Sequence, residues 1–72
     1  MRIRVSDAES ILDLRDHLRR AGCIAVQVAP GALQVEVPDA PNAGQEAREV
    51  RVYLVTWTAR RGVEAEIAGD DE

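Results

Sequence analysis

Two stretches of this chain end in the same way. RRAGCIAVQVA (19–29) closes the first half and ARRGVEAEIAG (59–69) closes the second. Each holds paired arginines, then a glycine, then a run in which apolar residues alternate. Paired arginines complement the negative end of a helix dipole, and glycine accepts the left-handed conformation that stops a helix. Alternation is the signature of a strand with one buried face. A helix feeding a strand, twice over, therefore constrains the chain more than any other feature.

The first half fills in readily. Residues 2–5, RIRV, alternate and predict a strand. Ser6 and Glu9 form an S-x-x-E capping box that opens a helix. Ala8, Ile11, Leu14, Leu18 and Ala21 recur at spacings of three and four, with Leu12 at the margin, and give that helix one apolar face. CIAVQV (23–28) predicts the second strand and LQVEV (33–37) the third. APGA (29–32) between them predicts a turn in which proline presets one dihedral and Gly31 takes a positive φ.

The second half holds one ambiguity. EVRVYLVTWTARR (49–61) crowds valine, tyrosine, threonine and tryptophan as a strand does, yet Ala47, Val50, Leu54 and Trp57 step at helical spacing. A strand here gives one helix on five strands; a helix gives βαββαβ. The repeat and the length of the segment, 45–61, favour the helix, with Asn42 and Gln45 as its cap and Gly62 as its stop. Burial of Leu54 and Trp57, roughly 1.5–3 kcal/mol each, exceeds the few tenths that each β-branched residue costs in a helix. VEAEIA (63–68) is then the last strand, and 69–72, GDDE, an acidic disordered tail. Residues 1–68 form one domain.

This order of elements resembles the α+β ferredoxin-like sandwich: a four-stranded antiparallel sheet, order 4-1-3-2, with two helices on one face. The chain is also similar to short actinobacterial proteins of uncharacterised function. The layout implies a buried sheet face of Ile3, Val5, Ile24, Val26, Val28, Leu33, Val35, Val37, Val63, Ala65 and Ile67. The open face then shows Arg2, Arg4, Cys23, Ala25, Gln27, Gln34, Glu36, Glu64 and Glu66, with the arginines between glutamates on either side.

Relatives of that fold act through recognisable residues. RNA-binding modules stack bases on aromatics of the central strands; RIRV and LQVEV have none. Metal carriers place C-x-x-C in the first loop, where this chain has SDAES. Phosphate-cleaving relatives hold an anion at the first helix N-terminus, where this chain has Asp7 and Glu9. Small-molecule-binding regulatory relatives (the ACT domains) often place glycine in the loop after strand one, and none is present. The formal net charge of −4 disfavours nonspecific binding to nucleic acid or anionic membrane. No apolar run approaches the ~20 residues needed to span a bilayer. A secretory leader is not evident, and a soluble, reduced, cytoplasmic setting is expected.

Candidate chemistry is sparse. His17 is the sole histidine and falls opposite the face of Ile11 and Leu18, as a surface residue would. Cys23 is the sole cysteine, so no internal disulfide can form, and with His17 it supplies at most two of the four ligands of a tetrahedral zinc site. Serine, histidine and acid are not spaced as a triad. No cofactor, metal or enzymatic activity is expected. Two features are left over: an uncharged edge strand presenting Cys23, Ala25 and Gln27, and a stripe of Val52, Val55 and Ala59 on the back of the second helix. Edges are normally blunted by charge or proline. A small interaction or regulatory module that forms a homodimer through this edge is the functional expectation, with an ACT-like metabolite sensor carrying ligand at a dimer seam as the alternative.

Overall fold

The computed structural model describes residues 1–69. Its elements are β1 (Arg2–Val5), a short 3₁₀ turn (Ala8–Ser10), α1 (Ile11–Arg20), β2 (Ile24–Ala29), β3 (Ala32–Glu36), α2 (Ala43–Arg61) and β4 (Ala65–Gly69). One four-stranded sheet has the order β2-β3-β1-β4. Counted from the opposite edge this is 4-1-3-2. All neighbours are antiparallel. The arrangement is α+β and compatible with the ferredoxin-like layout.

The tryptophan-bearing segment is helical over 19 residues. Asn42 caps it, its side chain accepting from the Gln45 amide at 2.8 Å. Gly62 closes it at φ 70°, a left-handed value only glycine takes without strain. Val50, Leu54 and Trp57 are buried along one stripe. Five β-branched residues in this helix oppose coiling by a few tenths of a kcal/mol each. Three large buried side chains outweigh them. α2 is further tied to the sheet where the Val37 amide donates to the Glu46 carboxylate at 2.8 Å.

α1 begins differently from the capping-box expectation. Asp7, not Ser6, caps the 3₁₀ turn that leads into α1, its carboxylate accepting from the Glu9 amide and the Ser10 hydroxyl, and Ser10 at the cap position of α1 itself makes no side-chain capping bond. A carboxylate can take both donors at once, and the 3₁₀ turn brings them to it. Ile11, Leu14 and Leu18 form the buried stripe, whereas Ala8 and Ala21 are exposed and Leu12 is half-exposed.

The main departure from the sequence reading is in β2. The two-residue connection Pro30-Gly31 starts a hairpin in which Ala29 faces Ala32. Continued without interruption, that register sets Val26 opposite Val35. Instead the ladder shifts between Gln27 and Ala29, and beyond it Gln27 faces Leu33, Ala25 faces Val35 and Ile24 faces Glu36. Val28 is the extra residue. A one-residue slip turns every side chain of a strand to the other face. Cys23 and Ala25 are consequently in the core, at 6% and 1% exposure, and Ile24, Val26 and Val28 stand outside at 51%, 51% and 47%. The expected inward set for this strand is thus reversed.

Smaller corrections follow from the same map. Gly31 does not take a positive φ; only Gly22 and Gly62 do among the described residues. Its role is close approach: a Cβ there would lie 3.2 Å from the Val5 carbonyl oxygen, and the Val5 amide bonds the Gly31 carbonyl. Arg4 faces Glu66, as the layout implied, but Arg2 faces Gln34 and Gly69, and Glu36 faces Ile24. Val63, Ala65 and Ile67 are half-buried because α2 roofs β4 incompletely. Gly69 belongs to β4 and not to a tail, and residues 70–72 lie outside the described residues.

Two substitutions on adjacent residues read the orientation of β2. Ala25→Lys puts a long cation beneath α1 and is expected to cost about 3 kcal/mol or more. Val26→Lys, on the open side, is expected to change stability by about 0.5 kcal/mol or less. Urea unfolding followed by tryptophan fluorescence checks both; equal costs contradict the register shift.

Candidate functional site

The leftover features of the sequence converge on two surfaces, one around β2 and one on the helices. β2 is an edge strand, and its outward backbone groups can be identified. The amino group of Met1 donates to the Val35 carbonyl, and the Val35 amide donates to the Met1 carbonyl. Val35 is thereby committed to the β1 side. Its partner Ala25 turns its own N–H and C=O away from the sheet, as alternate residues of an antiparallel edge do.

The end of α1 covers part of that edge. Arg19 donates from Nε and Nη2 to the Ala25 carbonyl at 3.1 and 2.9 Å. The Cys23 amide donates to the Leu18 carbonyl at 3.0 Å. The exposed Gln27 side chain turns back to the Ala29 carbonyl at 3.2 Å. A helix-borne guanidinium thus blunts an edge that has no charge of its own, which obstructs pairing with a further strand.

Of the residues expected at an interface, Cys23 and Ala25 are therefore removed from the surface, and Gln27 remains on it. Val52 and Val55 are exposed at 59% and 61% on the back of α2, and Ala59 is exposed one turn on. The structure does not bring the α2 stripe together with β2; they lie on opposite layers. The apolar surface that sequence reasoning missed is Ile24, Val26 and Val28. They alternate strictly, so the stripe was visible. Its direction depended on a bulge that no turn residue announces.

Cys23 is a poor nucleophile. Burial raises its thiol pKa, and the carboxylates of Glu49 and then Glu46 raise it further. Thiolate, the reactive form, is disfavoured by all three. His17, expected on the open surface, is half-buried between the helices, its Nε2 lying 3.2 Å from the Tyr53 carbonyl, which fixes that nitrogen as the donor. Among the described residues no three metal-ligating side chains gather where an ion could sit. No helix among them is long and apolar enough to cross a membrane.

Near His17 the helices are joined by a polar contact. Trp57 donates its indole N–H to Asp13 Oδ2 at 2.8 Å, and Arg61 Nε lies 3.5 Å from the same oxygen. Asp13 and Trp57 belong to different halves of the chain, so no local motif signals the contact. A separate groove of about 640 Å³ lies between the end of β1 and the start of β4. Its walls include Arg4, Ser6, Thr58, Glu64 and Glu66.

Comparison with protein-family models, with curated proteins and with solved structures finds no match.

Removing the carboxylate by Asp13→Ala leaves the buried indole N–H without its acceptor and is expected to cost about 1–3 kcal/mol. Asp13→Asn retains an acceptor oxygen and is expected to cost less. Thermal unfolding of the two variants checks the order; equal and negligible losses contradict a bond of structural consequence.

Proposed function

We propose that this chain is a small self-associating interaction module without catalytic chemistry of its own, and that two copies meet through the open sheet face at β2. The observation that carries this reading is the stripe of Ile24, Val26 and Val28. The chain turns its larger β-branched side chains outward and keeps the smaller Cys23 and Ala25 inside. Half exposure of a side chain this size forgoes about half of the 1.5–3 kcal/mol that full burial contributes. A second copy laid over the stripe recovers it.

The surrounding charges fit such a contact. Gln34 and Glu36 on β3 and Arg2 and Arg4 on β1 flank the stripe on one side. Overlap confined to β2 and the near side of β3 leaves the arginines at a solvated rim, the usual arrangement of apolar centre and polar border. The other edge exposes Glu64 and Glu66 and offers no comparable stripe. Packing by the face, not by strand addition, suits an edge whose Ala25 carbonyl Arg19 already holds.

The state of the sole cysteine and the sole histidine supports the non-enzymatic part. The thiol is buried with a raised pKa, and the imidazole spends Nε2 on a backbone carbonyl. A metabolite sensor with its ligand at the subunit seam is less well supported. The groove of about 640 Å³ lies between the end of β1 and the start of β4, across the sheet from β2, so a ligand there would not sit at this seam.

Sedimentation velocity over a concentration series tests the proposal. The expected outcome is a concentration-dependent shift from monomer to dimer that Val26→Lys abolishes and Val55→Lys, on the opposite layer, leaves intact. A monomer at several hundred micromolar contradicts self-association. A dimer lost in Val55→Lys but not in Val26→Lys contradicts this face.

A further inference from the structure

The groove between the two helices has a chemistry at odds with the rest of the molecule. Asp13, His17 and Arg20 line one wall, and Trp57, Arg60 and Arg61 line the other, around a cleft of about 330 Å³. The chain carries a net charge of −4. This cleft carries +2, from three arginines and one aspartate.

The helix directions explain the convergence. α1 leads from β1 to β2 and α2 from β3 to β4, and those strand pairs run oppositely, so the helices are antiparallel. Asp13 meets Trp57 and Arg61, whereas His17, one turn later, meets Tyr53, one turn earlier. Side chains lean toward the N-terminus of their own helix. Arg20 near the end of α1 and Arg60 and Arg61 at the end of α2 thus enter the same groove from opposite ends, and all three line it.

The negative charge within the cleft is already engaged. Asp13 Oδ2 takes the indole N–H and lies beside Arg61. Arg20 and Arg60 make no ion pair among the described residues, and Arg15 pairs with Asp16. Complementing the helix dipoles accounts for arginine in each last turn. It does not account for three of them lining one cleft opposite a single, engaged carboxylate.

We propose that this cleft binds a phosphate group borne by a small molecule, with Arg20 and Arg60 as its principal ligands and Arg61, held in place by Asp13, as a third. A guanidinium presents two parallel N–H donors that match adjacent oxyanion oxygens. A phosphate monoester carries about −1.5 to −2 at neutral pH, which balances the local charge; a carboxylate leaves it half balanced. The volume is near the lower end of the roughly 300–1,000 Å³ range of small-ligand sites, which suits a headgroup over a long polymer. The His17 ring has Nδ1 as its remaining hydrogen-bonding position, since Nε2 is committed to the Tyr53 carbonyl. This surface lies on the helical layer, away from the open sheet face, and the proposal stands independently of self-association.

The test is titration of the full chain with inorganic phosphate and pyrophosphate, followed by the Trp57 indole N–H resonance and by calorimetry. Sodium chloride at matched ionic strength and sodium acetate serve as controls, because exposed charges are screened over about 10 Å at 0.1 M salt. Saturable shifts with both phosphate probes, pyrophosphate being the tighter, are expected, with none from acetate. Arg20→Gln and Arg60→Gln are each expected to weaken binding about tenfold, the loss of one charge-assisted contact. Both positions are exposed, and circular dichroism verifies that the variants fold. Equal responses to acetate and phosphate, no response beyond that of chloride, or full binding by the double variant overturns the proposal.

Discussion

One residue added to one side of the β2–β3 ladder determines what this small domain shows to solvent. The hairpin starts from Ala29 opposite Ala32 and, past the shift, continues with Gln27 opposite Leu33. Leu33 and Val35 are fully buried, so their partners stand on the core side of the sheet, where Ala25 is buried and Gln27, nearer the turn, stays exposed. Without the shift those partners are Val28 and Val26; with it they are Gln27 and Ala25. The small Ala25 side chain lets α1 lie close over β2. That approach in turn brings Arg19 to the Ala25 carbonyl and the Cys23 amide to Leu18. The bulge, the small inward residues and the clipped edge form one mutually dependent arrangement, and its consequence is an apolar stripe left outside.

The opposite layer depends on a contest between propensity and burial. α2 is unusually rich in valine and threonine for a helix, yet its buried stripe of Val50, Leu54 and Trp57 packs over the sheet. The indole bond to Asp13 adds a directional constraint that apolar packing lacks, and it fixes how α1 and α2 pass each other. That crossing sets the polar groove between them. The same contacts that stabilise the helical layer thus bring arginines from both halves of the chain to one place.

Much of the fold was legible in the residues. The repeated arginine–glycine–strand ending located both helix stops, and the Asn42 cap and Gly62 closure fell where the spacing placed them. Element order followed from the pattern. The candidate surface was legible only by halves. Strict alternation in CIAVQV defines two faces but not which one is inward, and the expected inward set of Ile24, Val26 and Val28 is the one that faces out. The deciding information lies in a backbone irregularity beside the turn and in an arginine from the preceding helix, neither of which has a local signature. Likewise Ser6 offered a formally correct capping box, but Asp7 one residue later presents two carboxylate oxygens, Oδ1 to the Glu9 amide and Oδ2 to the Ser10 hydroxyl.

The orientation of β2 is open to direct measurement by native-state thiol labelling. The wild-type chain has its one thiol at Cys23, and a Cys23→Ala, Val26→Cys variant moves that thiol three residues along the strand to the other face. Labelling rates for folded protein, each divided by the rate in denaturant, give protection independent of reagent chemistry. In dilute protein, below self-association, the account predicts Cys23 strongly protected, labelled only through unfolding, and Val26→Cys labelled within about tenfold of the unfolded rate. A freely reactive Cys23 beside a protected thiol at position 26 would contradict it.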